Sequence, residues 1–300
     1  MPNALYMTVH YGLTSSLLDM DTLTFAAILA AAFMHAAWNA MIKIGLDRFM
    51  SMALMGTCMG GIALALTPFF PLPAPESWPF IIASILCHIG YNLTLVRAYG
   101  LGDLGQIYPL ARGTAPLSVA LFGAFVLAEA LPPLGWIGIL VLVGGVWLMS
   151  FKGGREKAQL HRHAVVSALF VSGFISAYTI LDGIGGRASG SASGYTLWLL
   201  GLEGVVMVAI ALAVRGPKAI IKLRGVWVSG LIAGALSLSA YWIAIWAMTR
   251  APIAAVAALR ETSILFALAI SVIALKEPLT RWRTAAAIMI VAGAAVLRLV

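Results

Sequence analysis

Charge is what this sequence has least of. Only 10% of its 300 residues are Asp, Glu, Lys or Arg, where soluble domains carry roughly a quarter, so water is not the solvent for most of its surface. Cysteine is scarce too. Cys58 and Cys87 both sit in apolar runs without a Cys-x-x-Cys spacing, so no disulfide or metal framework follows from them. The first 21 residues hold no Lys or Arg and no short apolar core ahead of a cleavage site, and no signal peptide is expected. Segments of about ten alternating residues, the mark of a membrane β-barrel, are missing. So is a Walker-type loop, which excludes ATP as the energy source within this chain.

What the chain has instead is apolar length: 62% of its residues are hydrophobic and the mean hydropathy is +0.99. Ten segments reach or approach spanning length, at about 22–43, 50–70, 79–98, 105–127, 134–151, 164–183, 193–214, 226–248, 253–275 and 284–299. About 20 residues of helix cross the hydrocarbon core, with about 17 tolerated. Turn material separates them: five prolines from Pro68 to Pro79, then Leu131-Pro132-Pro133, and the stretch from Gly183 to Gly194.

The segments repeat. Ala111-Arg112-Gly113-Thr114, Leu127-Ala128-Glu129 and Gly144-Gly145-Val146 have counterparts in Leu259-Arg260-Glu261-Thr262, Leu275-Lys276-Glu277 and Ala292-Gly293-Ala294, at the constant offset of 148 that separates Arg112 from Arg260. Ala37-Trp38-Asn39 and Gly45 match Ala177-Tyr178-Thr179 and Gly185. Five helices per repeat is an odd number, so the second copy enters the membrane upside down, a plan common among secondary transporters. The expected fold is all-α and integral to the membrane: ten transmembrane helices as two inverted five-helix repeats around a central cavity. The expected organisation is a tail at 1–21, repeats at 22–151 and 163–300, and a basic connection at 152–162.

Basic residues orient the bundle. One set of connections holds Arg48, Lys152, Arg155, Lys157, Arg162, Arg215, Lys218, Lys222, Arg224, Lys276, Arg281 and Arg283; the other holds Arg187 and Arg250, with Arg298 near the C-terminus. Short loops rich in Lys and Arg stay in the cytoplasm, which places both termini outside. The net charge of +8 is a topology signal, and nucleic acid is set aside as its cause.

Polar residues inside the spans carry the chemistry. HAAWN (35–39) and HIGYN (88–92) put His35 with Asn39, and His88 with Asn92, on shared helix faces, flanked by Trp38 and Tyr91. Tyr108 and Arg112 share a face in the fourth span, as do Tyr178 and Asp182 in the sixth; Arg260, Glu261 and Thr262 lie inside the ninth, and Tyr99 closes the third. An ionised residue at a helix centre costs about 2.5–3.5 kcal/mol on insertion scales, so such residues face inward or line water. They are the expected cavity wall, with Arg112, Asp182, Arg260 and Glu261 as gating or charge-pairing residues. Interhelical hydrogen bonding is the competing role for any one His or Asn. No nucleophile–base or metal constellation is visible, which leaves no catalytic residue, metal or cofactor to assign. Glu129 and Glu277 are expected to cap the helices that follow them. The G-x-G-x-x-G at Gly100–Gly105 lacks the strand that a dinucleotide fingerprint needs and reads as a turn. Gly60-Gly61 and Gly144-Gly145 read as close helix contacts.

The pattern resembles the EamA-type members of the drug/metabolite transporter superfamily over nearly the whole chain. The resemblance rests on Ala36-Ala37-Trp38-Asn39, on Tyr108-Pro109-Leu110-Ala111-Arg112 followed by Pro116, and on a Glu closing the fourth and ninth spans before a Gly-rich fifth or tenth. Its nearest branch is the YddG-type amino-acid exporters, which implies a bacterial inner membrane protein acting on aromatic and other neutral amino acids. Two departures stand out. Ala128 and Lys276 occupy places where the family has glycine, and many members are described with cytoplasmic termini, against the basic-residue count. The function expected is a secondary transporter working by alternating access on an amino acid or similar metabolite, embedded in the lipid bilayer and monomeric. Protons are a candidate coupling ion, through His35, His88, Asp182 or Glu261. A multidrug or cationic-metabolite exporter is the alternative; an intramembrane enzyme or a structural membrane protein is the rival from another class.

Overall fold

The computed structural model describes residues 20–42, 48–99, 104–129, 131–152, 162–217, 225–274 and 276–299. The first half comprises α1 (Thr22–Ile42), α2 (Arg48–Leu66), α3 (Trp78–Tyr99), α4 (Leu104–Phe125) and α5 (Pro133–Lys152). The second comprises α6 (Arg162–Ala188), α7 (Ala192–Arg215), α8 (Trp227–Met248), the pair α9 (Ile253–Arg260) and α10 (Ser263–Ala274), and α11 (Arg281–Arg298). Among the described residues there is no strand, as expected where a bilayer offers backbone groups no water. Seven spans are long and apolar enough to cross a membrane, α9 and α10 together forming one of them, and Leu110–Phe125 is a shorter apolar helix. The fold is ten spans in two inverted halves.

Side chains set the helix ends. Asp21 caps α1, its Oδ1 accepting from the Thr24 backbone N–H at 2.6 Å and its Oδ2 from the Thr24 hydroxyl at 3.1 Å. The backbone bond holds that carboxyl below the usual carboxylate range. Ser191 accepts from Gly194 N–H at 3.1 Å to cap α7, and Gly216, at φ 73°, closes it in a left-handed conformation that glycine adopts without strain.

Inverted partners pack on each other. Where α2 crosses α7, a Cβ on Gly60 would stand 2.6 Å from the Gly204 Cα, so only glycine lets the backbones meet. Where α5 crosses α11, a Cβ on Gly145 would lie 2.9 Å from the Ala286 carbonyl oxygen. Gly61 meets nothing within 4 Å and plays no such part. Val119, Ile139, Leu142, Val256, Leu259 and Ile290 form the main core, where α4, α5, α9 and α11 converge.

The chain departs from expectation at three places. Helix α6 runs on to Ala188, because Gly183 and Gly185 serve as contact points for Ile253 and Tyr195 and do not break the helix. The ninth span is broken. Glu261 and Thr262 N–H groups bond the Ala258 and Leu259 carbonyls at 3.0 Å, a tight three-residue spacing, and α10 starts afresh at Ser263. Glu129 does cap a helix N-terminus, but not the one that follows. Its Oε2 accepts from the Ile253 N–H of α9 at 3.2 Å, and its Oε1 takes Arg187 Nη1 at 2.6 Å. Arg187 also bonds the carbonyls of Met248 and Ala251, so this glutamate ties both halves together at the end where α1 begins. Its repeat counterpart Glu277 bonds Ser271 at 2.6 Å and Arg283 at 3.0 Å at the opposite end. Directly before each glutamate, Ala128 and Lys276 hold φ of 56° and 53°, the left-handed region in which the family's glycine would be unstrained.

The halves also differ in packing. Helix α4 lies along α5, whereas α10 stands off α11 and leaves an apolar groove of about 580 Å³ between Leu268, Val272, Ile288 and Val291.

Candidate functional site

A cavity of about 160 Å³ occupies the middle of the bundle, walled by α1, α2, α3, α4, α6, α7, α8 and α9. At the end where α1 begins, the Glu129–Arg187 pair and a bond from Ala74 N–H to the Ser189 carbonyl (3.0 Å) knit the loops together.

Two polar clusters and one lone cation face this space. The first cluster joins both halves. Arg112 on α4 gives Nη2 to Glu261 Oε1 at 2.9 Å and Nε to Oε2 at 3.1 Å, a fork that matches the carboxylate plane. Its Nη1 meets His35 Nε2, and the His35 ring stands edge-on to Trp38 with centroids 4.9 Å apart. Glu261 can turn inward because the helix breaks at that residue.

The second cluster sits between α3, α6, α7 and α8. His88 Nδ1 lies 2.9 Å from Glu203 Oε2, and its Nε2 lies 3.8 Å from Asp182 Oδ2. Asp182, fully buried, also accepts from the Tyr195 hydroxyl at 3.1 Å and from the Tyr241 hydroxyl. Tyr178 packs edge-on against His88, with centroids 4.2 Å apart.

The lone cation is Arg260. Its guanidinium lies over the Tyr241 ring, 5.0 Å from the centroid, and among the described residues no acid stands within ion-pair distance of it. The opposite wall is apolar and deformable: Met52, Met55 and Met59 from α2 and Met207 from α7, with Tyr91 and Trp38 beside them. The Trp38 indole N–H is buried with no hydrogen-bond partner.

Of the residues singled out from sequence, His35, Trp38, His88, Tyr91, Asn92, Arg112, Tyr178, Arg260 and Glu261 line this one cavity. Asp182 stands behind Tyr241 and His88, joined to tyrosines and a histidine where an arginine partner was expected. Asn39 turns back to its own helix, giving Nδ2 to the His35 carbonyl at 3.2 Å, and is not in the wall. Thr262 bonds the Leu259 carbonyl at 2.7 Å and serves the helix break. The side chains of Tyr99 and Tyr108 lie outside the described residues, as do those of Arg48 and most of the basic connections. Sequence reading missed Glu203, Tyr241 and the methionine wall. Glu203 had a signal: it is the one acid in the 24 residues of α7, and a mid-span acid is a site candidate by default.

A family model described as the EamA-like transporter family matches residues 22–151 and 163–299. The chain belongs to the EamA-like transporter family. It is therefore a multi-pass membrane transporter of the drug/metabolite type. Among solved structures, one described as "Crystal structure of protein" is similar in fold, with a TM-score of 0.70 at 19% identity, covering 93% of this EamA-like chain and 96% of its own. No curated protein matches.

Proposed function

We propose that this EamA-like transporter moves small zwitterionic metabolites, foremost neutral and aromatic amino acids, by alternating access, and exports them across a bacterial inner membrane as the YddG-type exporters would. The observation that carries this is Arg260, a cavity guanidinium with no acid beside it, held over the Tyr241 ring. A planar fork of donors in a low-dielectric wall recruits a carboxylate. Glu203 in the cavity wall, with Asp182 behind Tyr241 and His88, supplies negative charge for an ammonium. The aromatic rings and the methionines hold an apolar side chain, and methionine's unbranched, polarizable chain adapts to several shapes.

The two repeats, 22–151 and 163–300, are the units that rock, with the Glu129–Arg187 tie closing one end. The excess of basic residues in the connections at the opposite end supports a cytoplasmic placement for those loops and an outside placement for the termini. A second reading, export of a cationic metabolite or drug, is favoured by the two acids that face His88 without a Lys or Arg between them. Radiolabelled substrates in proteoliposomes separate the two. L-phenylalanine, L-tryptophan and L-leucine should exchange across the membrane while phenethylamine should not. Exchange of phenethylamine alone selects the cationic reading, and no exchange above protein-free liposomes for any of them overturns both.

A further inference from the structure

We propose that His88, Glu203, Asp182 and Tyr241 form a proton-binding site, and that a proton bound there is exchanged for the substrate, making the protein a proton antiporter. Asp182 is 0% exposed, Glu203 7% and His88 8%, and the four groups come from four different helices. One imidazole stands between two carboxylates, 2.9 Å from Glu203 and 3.8 Å from Asp182. Tyr241 completes the circuit, donating its hydroxyl to Asp182 and lying 3.4 Å from His88 Nε2.

Charge balance drives the inference. Three arginines are paired with other acids: Arg112 with Glu261, Arg187 with Glu129 and Arg283 with Glu277. The groups facing the cluster are Cys87 and Ser84 on α3, Tyr178 on α6, Tyr195 on α7, Tyr241 on α8 and Arg260 on α9. Of these only Arg260 is a cation, and it lies across the Tyr241 ring. With both acids ionised and the imidazole neutral, the cluster holds two negative charges in a dry interior. Low-dielectric surroundings make that arrangement untenable, and a proton is the cheapest remedy. A proton taken up on Glu203 or Asp182 leaves one carboxylic acid, a neutral imidazole and one carboxylate, and so halves the buried negative charge.

The Ser84 hydroxyl, 0% exposed and one turn before His88, stands beside Asp182 and adds a further polar group to the cluster. One imidazole set between two carboxylates offers hydrogen-bonding positions that a proton fills without further ligands.

The mechanism follows from competition. A substrate ammonium and a proton satisfy the same negative charge, so each expels the other. The proton enters from water on one side, remains while the empty carrier changes face, and leaves to water on the other side when the ammonium arrives. No bond other than O–H or N–H forms or breaks. The flux part of this inference rests on the zwitterion reading; the proton site itself does not.

Two measurements on the full chain in bilayers test it. Infrared difference spectra, taken without substrate from about pH 5 to about pH 9, span the titration of imidazole and buried carboxyls. The wild type should show a carboxylic C=O band that appears on acidification, shifts in D2O, and is lost in Glu203→Gln or Asp182→Asn. Absence of such a band, or a band untouched in both variants, overturns the proton site. In proteoliposomes with the membrane potential clamped, one unit of pH gradient should drive about tenfold accumulation of L-phenylalanine at one-for-one exchange. In Glu203→Gln the ratio of flux with the gradient to flux without it should fall to about one, whatever the absolute rate. A ratio equal to the wild type's overturns the antiport. If the wild type carries no amino acid at all, the zwitterion reading fails and the infrared result still decides the site.

Discussion

Arg112 and Arg260 occupy the same position in the two repeats, yet one is neutralised and the other is not. Arg112 grips Glu261 through a two-bond fork. The counterpart of Glu261 in the first repeat is Gly113, which has no acid to offer. Gly113 is held by packing: a Cβ there would stand 2.8 Å from the Trp147 ring. The second half can place an acid at this position because its helix breaks there, while α4 runs unbroken past Gly113. The lesson is that the scaffold is duplicated and the chemistry is not. Arg112 joins the halves through Glu261, and Arg260 has no such acid among the described residues.

The sharpest way to break this comparison is to remove each arginine in turn. Arg112→Gln strands a buried Glu261 and should lower unfolding stability by about 3–5 kcal/mol, read by denaturation in detergent. Glu261→Gln should cost a similar amount, and the double variant less than the sum of the two. Arg260→Gln strands no acid, and without substrate its stability should stay within about 1 kcal/mol of the wild type. Equal losses at Arg112 and Arg260 would erase the distinction.

A smaller contrast separates the two repeat glutamates. The Glu129–Arg187 pair is 8% and 4% exposed, the Glu277–Arg283 pair 29% and 18%. Glu129→Gln should therefore cost about 2–3 kcal/mol, since Arg187 stays buried with less to pair with. Glu277→Gln should cost at most about 1 kcal/mol, as more exposed pairs do. The same melts check both. Smallest of all, Ala128→Gly and Lys276→Gly should each raise stability by up to about 1 kcal/mol by relieving a left-handed backbone. A loss of stability at either position would show that the strain is absent.

Ten apolar segments and the offset between Arg112 and Arg260 made the inverted architecture readable in the sequence, because bilayer thickness dictates span length and duplicated residues survive in order. The clustering of His35, His88, Tyr91, Tyr178, Arg112 and Glu261 was also legible, since polar groups in hydrocarbon must converge. Which groups pair was not. The His35 ring meets Arg112 while Asn39 reaches only the His35 backbone carbonyl, because the helix crossing decides the side chain's neighbour. Asp182 finds tyrosines, and Tyr195, 13 residues on, can reach it only because α6 turns straight into α7. Glu129 caps α9 across the repeat boundary, a contact that no local pattern encodes. The break at Glu261 was hidden as well, since no Gly or Pro marks it and only the cap-capable Thr262 and Ser263 hint at a new helix start.

We propose that Arg260, which among the described residues has no acid within ion-pair distance, takes the substrate carboxylate. Calorimetric titration of the purified chain with L-phenylalanine and with phenethylamine tests it most directly. Arg260→Gln should weaken L-phenylalanine binding by about 10- to 100-fold, the worth of a charged hydrogen bond, and change phenethylamine affinity by less than about threefold. Undiminished L-phenylalanine binding in Arg260→Gln would contradict the claim. So would a folded Arg112→Gln protein that no longer tells the amino acid from its amine.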